Sequence, residues 1–415
     1  MILRARTILP ITSPPIENGA LQIFGNRIRA VGAWTDLQPQ SGEKVFDLGD
    51  VILLPGLVNA HCHLDYTDMA GDLPPTKTFT DWIPLITAAK TAWSYSEYAH
   101  SWLHGAHMLL KTGTTTVADI EAMPDLLPEV WDATPLRVFS FLEMTGIRAR
   151  RNPKDILREA FEKIDSLAHA RCSAALSPHA PYSTLPELLR LSAGLARKKK
   201  WRLCTHIAES AEEFEMFQHA RGKMFDWLKR NERDPSDCGL GSPVQHFARH
   251  KMLGENLLAI HVNYLARGDA TLLGKHRVNV VHCPRSHDYF RHAPFLRERL
   301  ANAGANLCLG TDSLATTRKL GKQKPELNMF EEMRQLATAD KTISPEEILR
   351  MATVNGARAL GLAGQAGELA KNTAADLIAI PAGGKSDAVY ETVLAHTGNV
   401  KASMIDGRWA MPPLD

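Results

Sequence analysis

The chain has 415 residues, of which 44% are hydrophobic and 23% are charged, the composition of an ordinary folded protein. Its 48 basic and 46 acidic residues give a net charge of +2, so the charge balance offers no basis for binding nucleic acid or a membrane surface. The length allows one large domain and a smaller one, since an α/β barrel takes about 200–250 residues or more.

We expect neither a signal peptide nor a transmembrane segment at the amino end, because residues 1–16 contain Arg4 and Arg6 and are soon interrupted by prolines. The six cysteines lie at positions 62, 172, 204, 238, 283 and 308 and include no C-x-x-C pair. We therefore expect reduced, buried thiols in a cytoplasmic protein, and no disulfide framework.

Both ends of the chain carry short strand-like segments separated by turns. The amino-terminal segments are residues 2–9, 20–24, 27–31, 44–48 and 51–54, and the carboxyl-terminal ones are 375–380, 393–395, 400–405 and 408–410. Because the middle of the chain lacks this pattern, we expect residues 1–54 and 366–415 to combine into one small β-sandwich domain beside an α/β body over residues 55–365.

The α/β body alternates strand-like with helix-like segments from Pro55 onward. A first strand carries His61 and His63, and seven more follow at residues 114–120, 136–144, 172–176, 202–207, 257–262, 278–282 and 305–309. Eight strands separated by helices are the count of a TIM (β/α)8 barrel, whose active site lies at the carboxyl ends of its strands.

Polar residues cluster at those carboxyl ends. They are His61, His63, Asp119, Glu143, His179, His206, Glu209, His261, His282 and Asp312. Random placement would scatter such residues along the strands, so this distribution favours a functional site at one end of the barrel.

His61 and His63 have the spacing i, i+2, which places both imidazoles on one face of a strand. An isolated pair of this kind favours hydrogen-bonded core histidines. With His206 and Asp312 at other strand ends, the set becomes three imidazoles and a carboxylate, which suits Zn²⁺ or Fe²⁺. A water in the open position would be activated as a nucleophile, because the metal lowers its pKa toward neutrality.

Two further residues can act beside that metal. Glu209 follows His206 by three residues, so its carboxyl can move a proton between the attacking water and a substrate nitrogen without binding the metal. His261, at the next strand end, can donate a hydrogen bond to the water or to the developing oxyanion; alone, it is as well explained as a core histidine.

The chain resembles the metal-dependent amidohydrolase superfamily, in the branch of deaminases and chlorohydrolases that includes guanine deaminase, the triazine hydrolases, the methylthioadenosine/S-adenosylhomocysteine deaminases and aminodeoxyfutalosine deaminase. The most specific motifs are PGLVNAHCHLD at 55–65, HIAES at 206–210, LGTDSLAT at 309–316 and LNMFEEMR at 327–334. Weaker motifs include KTGTTTVAD at 111–119, SPHAPYS at 177–183 and VVHCPRS at 280–286. The resemblance implies a distorted TIM barrel with a β-sandwich domain formed by both termini.

The resemblance also implies roles for individual residues. One metal would be bound by His61, His63, His206 and Asp312, with Glu209 as proton shuttle, His261 assisting and Asp312 also acting as base toward the water. The fourth strand end reads Ser177-Pro178-His179, without the bridging lysine or glutamate of two-metal branches. We expect one divalent metal ion, zinc in the first place and iron as the alternative, and a homodimer is compatible with the family.

The reaction implied is hydrolytic deamination of an aminated purine base or an adenosine-type nucleoside. The metal-bound hydroxide attacks the amidine carbon, Glu209 protonates the ring nitrogen, and ammonia is released. Two alternatives remain open from the sequence. One is hydrolysis of another leaving group in the same site, such as an amide or chloride; the other is a catalytically silent relative, against which the complete ligand set argues.

Five residues are candidates for binding the substrate, and two of them, Trp82 and Arg148, also have a structural explanation. His179 matches a position near the substrate in nucleoside-deaminating relatives. Trp82, beside Phe79, would form an aromatic wall over a base, or pack in the core. Arg148 would meet an anionic group, or be an exposed arginine. Arg285 and His287 depart from the motif of relatives, and an arginine there would bind a carboxylate, as in aminodeoxyfutalosine.

Overall fold

The structure is a computed structural model that describes residues 1–37, 39, 41–147, 151–318, 324–383 and 388–413. Its strands form two eight-stranded sheets, one a parallel barrel and the other a mixed sheet built from both ends of the chain. No helix in these residues combines the length and the apolar character that crossing a membrane requires.

The amino-terminal part contributes five strands to the mixed sheet. They are β1 (Ile2–Ile8), β2 (Ile16–Phe24), β3 (Arg27–Ala33), β4 (Val45–Asp47) and β5 (Val51–Pro55). β1 pairs antiparallel with β2 and parallel with β4 and β5. Gly25 makes the predicted turn between β2 and β3 with a φ of 59°, a conformation that favours glycine.

The parallel barrel follows directly. Its strands are β6 (Leu57–Cys62), β7 (Thr114–Glu121), β8 (Arg137–Met144), β9 (Ser173–Pro178), β10 (Leu203–Ile207), β11 (Leu257–His261), β12 (Asn279–His282) and β13 (Asn306–Leu309). Each strand pairs with the next in sequence, and a parallel bridge between Cys62 and Asp312 joins the first strand to the end of the last. This confirms the predicted α/β fold, a distorted TIM barrel.

Helices connect the barrel strands and continue beyond them. They are α1 (Phe79–Ala92), α2 (Tyr95–Lys111), α3 (Leu127–Asp132), α4 (Pro153–Ser166), α5 (Pro186–Lys199), α6 (Ala211–His219), α7 (Lys223–Arg230), α8 (Pro243–Arg249), α9 (Asp269–Lys275), α10 (Pro284–Phe290), α11 (Arg297–Asn302), α12 (Met329–Ala339), α13 (Pro345–Met351), α14 (Val354–Ala359) and α15 (Val389–Ala395). α13 begins with a capping box, in which Ser344 and Glu347 each bind the other's backbone N–H.

The carboxyl-terminal part completes the mixed sheet with β14 (Leu377–Pro381), β15 (Ala402–Ile405) and β16 (Arg408–Met411). β14 pairs antiparallel with both β5 and β15, so the two ends of the chain share one sheet. The limits of the two domains, set at residues 54/55 and 365/366, stay a prediction.

One predicted strand is wrong. Residues 393–395 belong to the helix α15, which packs against α12 and α13. Val389 and Val393 are buried four residues apart, the spacing of one helix face, and three β-branched or apolar residues in a row do not reveal that period.

All six cysteines are buried, and none of them forms a disulfide in the structure. Several lie in the barrel interior, where Cys204, Cys283 and Cys308 pack with apolar side chains such as Phe141 and Ile260. Packing of this kind fills the barrel below the carboxyl ends of the strands, so that the polar side chains at those ends form its upper layer.

Candidate metal centre and active-site cavity

The barrel brings together four side chains from three strand ends. His61 is the second-to-last residue of β6, and His63 directly follows that strand. His206 is on β10, and Asp312 lies just beyond the end of β13. All four are buried. His63 Nε2 lies 3.4 Å from His206 Nε2 and 3.7 Å from Asp312 Oδ1, and His61 Nε2 lies 3.5 Å from the same Asp312 oxygen.

These separations suit one divalent cation. Four ligand atoms arranged tetrahedrally at about 2.1 Å from a zinc ion lie about 3.4 Å from one another. Neither ring nitrogen of His61 has a hydrogen-bond partner among the described residues, although the side chain is fully buried. A bound ion is one explanation for a buried polar group without a partner, and three imidazoles with a carboxylate fit zinc or iron.

The protonation states favour the same reading. Burial, with His61 and the other nearby rings, lowers the pKa of His63 well below its usual value, and burial with His179 and His61 lowers the pKa of His206 to about 3. For Asp312 burial acts in the opposite direction, but contacts with His61 and the neighbouring histidines outweigh it and hold the pKa well below normal. Neutral imidazoles and an ionised carboxylate are the forms that bind a metal.

Backbone contacts between the first and last barrel strands hold two of these residues. Asp312 N donates to His61 O at 3.1 Å, and Asn59 exchanges two hydrogen bonds with Thr311 beside it. A side chain at Gly310 would place its Cβ 2.8 Å from His61 O, so glycine is required for this close approach. Asp312 itself has a φ of 54°, an uncommon conformation for a residue other than glycine.

Other contacts orient the histidines. His206 Nδ1 donates to His179 O at 3.0 Å, which leaves Nε2 without its hydrogen and directed at the cluster. After His63, the chain is held by Asp119, whose carboxylate accepts from Leu64 N at 2.9 Å and from Trp102 Nε1 at 3.0 Å. The strand-end position of Asp119 therefore supports the loop that carries His63.

Glu209 faces the cluster from the loop after β10. It is buried, and its Oε1 lies 3.4 Å from His261 Nε2. Burial, together with Asp312 and Glu213, raises the pKa of Glu209 well above the usual value, so the carboxyl readily holds a proton. His261 also lies 4.0 Å from Asp312 Oδ2 and has a φ of 74°. Both side chains predicted as catalytic partners thus lie beside the cluster.

The backbone of Glu209 has its own support. The carboxylate of Glu213 accepts from Ala208 N at 2.8 Å and from Glu209 N at 2.9 Å, and Asn263 Nδ2 donates to Glu209 O at 2.9 Å. Ala208 has a φ of 50°, so the chain makes a strained turn here that these bonds maintain.

A cavity of about 310 Å³ opens above the cluster, with His63, His206, Glu209 and Asp312 at its base. The predicted residues Trp82 and His179 line it. Phe79 and Trp82 stack with ring centroids 5.8 Å apart, and further apolar side chains extend this wall. They are Tyr66, Ile83, Ile86, Ile147, Tyr182 and Trp227. An apolar wall above a polar base suits an aromatic ligand that reacts at one edge.

Arg285 and His287, two further residues predicted to bind the substrate, do not line this cavity. Arg285 donates through Nε to Glu332 and through Nη1 to Glu331, at 2.5 and 2.6 Å, and its Nη2 reaches Glu326 O. His287 donates to Asn263 Oδ1 at 3.0 Å and lines a separate groove. Arg148 lies outside the described residues. The structure therefore does not bring Arg285 or His287 to the cavity.

The sequence alone assigned no role to several residues of the site. Tyr66 stacks on His63 with ring centroids 5.3 Å apart, and Lys90 and Glu143 form an ion pair in the cavity wall. The sequence marks Glu143 as a polar strand end but offers no signal for its partner. Glu213 could have been found from the sequence, because a glutamate three residues after Ser210 has the spacing of a helix capping box. Its carboxylate, however, accepts from the backbone of Ala208 and Glu209 in the preceding loop.

Comparison with known proteins agrees with this geometry. The sequence profile of the amidohydrolase family matches residues 52–410. A 5-methylthioadenosine/S-adenosylhomocysteine deaminase of Syntrophobacter fumaroxidans is 30% identical over 382 residues, which cover 88% of this chain and 80% of that protein.

Two solved structures share the fold. An adenosine deaminase from Xanthomonas campestris with bound zinc aligns with a TM-score of 0.83 at 23% identity, covering 98% of this chain and 92% of the other. Helicobacter pylori aminofutalosine deaminase in complex with methylthio-coformycin aligns with a TM-score of 0.85 at 21% identity, covering 98% and 99%.

Proposed function

The chain belongs to the amidohydrolase family, and on that basis we propose that it releases ammonia from an aminated purine base or an adenosine-type nucleoside. The observation that carries the proposal is the placement of Glu209. Its buried carboxyl faces the same cavity as His63, His206 and Asp312, which together with His61 are spaced for one divalent cation. A relative at 30% identity is named as a deaminase of methylthioadenosine and S-adenosylhomocysteine.

The enzyme is a hydrolase with a metal cofactor, and we propose one zinc ion held by His61, His63, His206 and Asp312. A divalent cation in such a site polarises a water and lowers its pKa, so that a nucleophile is available at neutral pH. The donor set supports zinc, because imidazole nitrogen is a preferred zinc ligand and the carboxylate reduces the net charge. Iron is the alternative for the same donors.

The protein's own groups supply the proton transfers. Asp312 Oδ2 accepts a proton from the attacking water, and the Glu209 carboxyl gives its proton to the ring nitrogen next to the reacting carbon. Glu209 then takes the proton from the hydroxyl of the tetrahedral intermediate and delivers it to the departing amine, and the proton held by Asp312 restores the Glu209 carboxyl for the next turnover. His261 Nε2 lies within 4.0 Å of both carboxylates, where it orients the water and the oxygen that becomes negative.

Trp82 and His179 complete the proposed site. The indole packs against one face of the base, and the aromatic wall excludes water from the reacting edge. His179 Nδ1 lies 2.6 Å from Ser183 Oγ, so its Nε2 is the nitrogen that can meet a substrate. We also propose that the protein works in the cytoplasm, as the free buried cysteines support, and that it forms a homodimer.

The test is ammonia release by the zinc-loaded protein with guanine, adenosine, methylthioadenosine, S-adenosylhomocysteine and aminodeoxyfutalosine. Turnover of one of these, lost in Glu209→Gln with zinc still bound, is the expected result. Glu215→Gln is the matched control, because Glu215 lies on α6 with its side chain 41% exposed and forms an ion pair with Arg221 at the surface. If none of these compounds releases ammonia although one zinc ion is bound per chain, deamination is refuted and hydrolysis of another leaving group becomes the proposed reaction.

A further inference from the structure

Lys90 and Glu143 form an ion pair in the cavity wall that deamination does not use. Lys90 is on α1 and Glu143 is near the end of β8, and Lys90 Nζ lies 3.3 Å from Glu143 Oε1. Their side chains are 25% and 12% exposed. Both line the cavity that holds His206 and Glu209. A charged pair drawn out of water in a cavity wall needs an explanation, since burial of charge opposes folding.

Glu143 retains unused capacity to accept hydrogen bonds. Its Oε1 meets Lys90, whereas Oε2 has no hydrogen bond within the part of the chain that the structure describes. Four serine and threonine hydroxyls in the same wall are already engaged, because they donate to backbone carbonyls close by. They belong to Thr87, Thr91, Ser183 and Thr316. The hydroxyl of Tyr66 makes no hydrogen bond to Glu143 or to any other described residue. A carboxylate oxygen that faces a largely apolar cavity requires a donor from whatever fills it.

The pair is connected to the metal centre through one aromatic ring. Tyr66 stacks on His63 with centroids 5.3 Å apart and an interplanar angle of 12°, and Lys90 Nζ lies 4.9 Å from the centroid of the same ring. The pair therefore lies one aromatic ring away from His63, within reach of a substituent on a substrate whose reacting carbon lies beside that histidine.

The charges of Lys90 and Glu143 determine which kind of substrate group can bind to the pair. The lysine and the glutamate neutralise each other, so the pair attracts no net charge, and the carboxylate oxygen repels an anion. A hydroxyl can donate to Glu143 and accept from Lys90, and two adjacent hydroxyls can do both at once. A free purine base carries no pair of adjacent hydroxyls for this position.

We propose that Lys90 and Glu143 form a subsite for adjacent hydroxyl groups of the substrate, as in the ribose of a nucleoside. The inference rests on the proposed function and narrows it, since it selects ribonucleosides over free bases and over deoxynucleosides. Because a subsite of this kind binds ground state and transition state alike, its loss raises KM more than it lowers kcat.

The experiment compares adenosine with 2′,3′-dideoxyadenosine in the zinc-loaded enzyme. We expect kcat/KM to fall about 10- to 100-fold when the hydroxyls are absent, the range for hydrogen bonds to a charged group. The double variant Lys90→Met/Glu143→Gln removes both charges and so leaves neither buried alone. In this variant we expect kcat/KM for adenosine to fall to the value for 2′,3′-dideoxyadenosine, whereas kcat/KM for 2′,3′-dideoxyadenosine should change little.

Lys163→Met/Asp125→Asn is the matched control, because this pair lies at 2.7 Å on the surface, outside the cavity. Zinc content and thermal unfolding show whether each variant is folded. Equal turnover of both nucleosides by the parent enzyme would overturn the subsite and leave the proposed function intact. If no nucleoside releases ammonia, the proposed function fails, and calorimetric binding of the two compounds tests the subsite alone; equal binding, or none, overturns it.

Discussion

Glu213→Gln should impair catalysis without removing a group that touches substrate or metal. The carboxylate of Glu213 accepts from the N–H groups of Ala208 and Glu209 at 2.8 and 2.9 Å. The amide of glutamine keeps one acceptor and turns its NH2 group toward the other N–H. At pH 8, where Glu213 is ionised, this removes one hydrogen bond to a charged group, worth about 1.5–3 kcal/mol.

The loss acts on the strained turn that aims the Glu209 carboxyl, because Ala208 has a φ of 50°. A displacement of about 1 Å of a catalytic group lowers the rate about 100-fold, so we expect kcat/KM to fall by that order. The backbone N–H of Glu209 should exchange with solvent about 10- to 100-fold faster, since about 1.4 kcal/mol corresponds to a factor of ten.

The assay combines ammonia release with hydrogen exchange of the peptide that spans residues 203–210, measured on protein with its full zinc content. Glu215→Gln again serves as the control, as an exposed carboxylate on the same helix. Unchanged kcat/KM and unchanged exchange in Glu213→Gln would refute the reasoning, as would an equal loss in the control.

The remaining predictions concern the metal, Arg285 and pH. His206→Gln should abolish stoichiometric zinc binding, measured by elemental analysis of the purified protein, because it removes one of four donors; an unchanged zinc content would show that the donors are different. Arg285→Met should destabilise the fold by about 3–5 kcal/mol in urea unfolding, since it leaves Glu332 buried without its partner, while KM for carboxylated and uncharged nucleosides changes equally; a selective rise in KM for the carboxylated one would contradict this. Burial, opposed by three backbone N–H groups, raises the pKa of Glu213 from 4.5 to about 7. Between pH 4.5 and about pH 7, Glu213 is protonated in the folded chain and ionised in the unfolded chain. Proton binding by the folded chain therefore stabilises it at low pH, by at most about 3 kcal/mol, and this stabilisation is lost as the pH rises from 4.5 to about 7. The difference in unfolding free energy between the parent and Glu213→Gln should shrink from pH 5 to pH 7.5, and a constant difference would refute the assignment.

The barrel and the positions of its polar residues followed from local patterns. Apolar segments of strand length that alternate with helical segments predict a parallel barrel, and in such a barrel the carboxyl ends of all strands meet at one face. For that reason the sequence alone predicts that His61, His206 and Asp312, which are far apart in the chain, lie close together. The short segment at 393–395 shows the limit, because three residues do not reveal whether their period is that of a strand or a helix.

The partner of each charged side chain was decided only by the tertiary structure. Arg285 looked available for a substrate carboxylate, yet the packing of α10 against α12 presents it with Glu331 and Glu332. Lys90 and Glu143 lie 53 residues apart, and no spacing rule links them. The sequence determines which residues a strand end or helix face can present, because periodicity is local. Which of them meet depends on contacts between distant segments, and those contacts form only when the whole barrel packs.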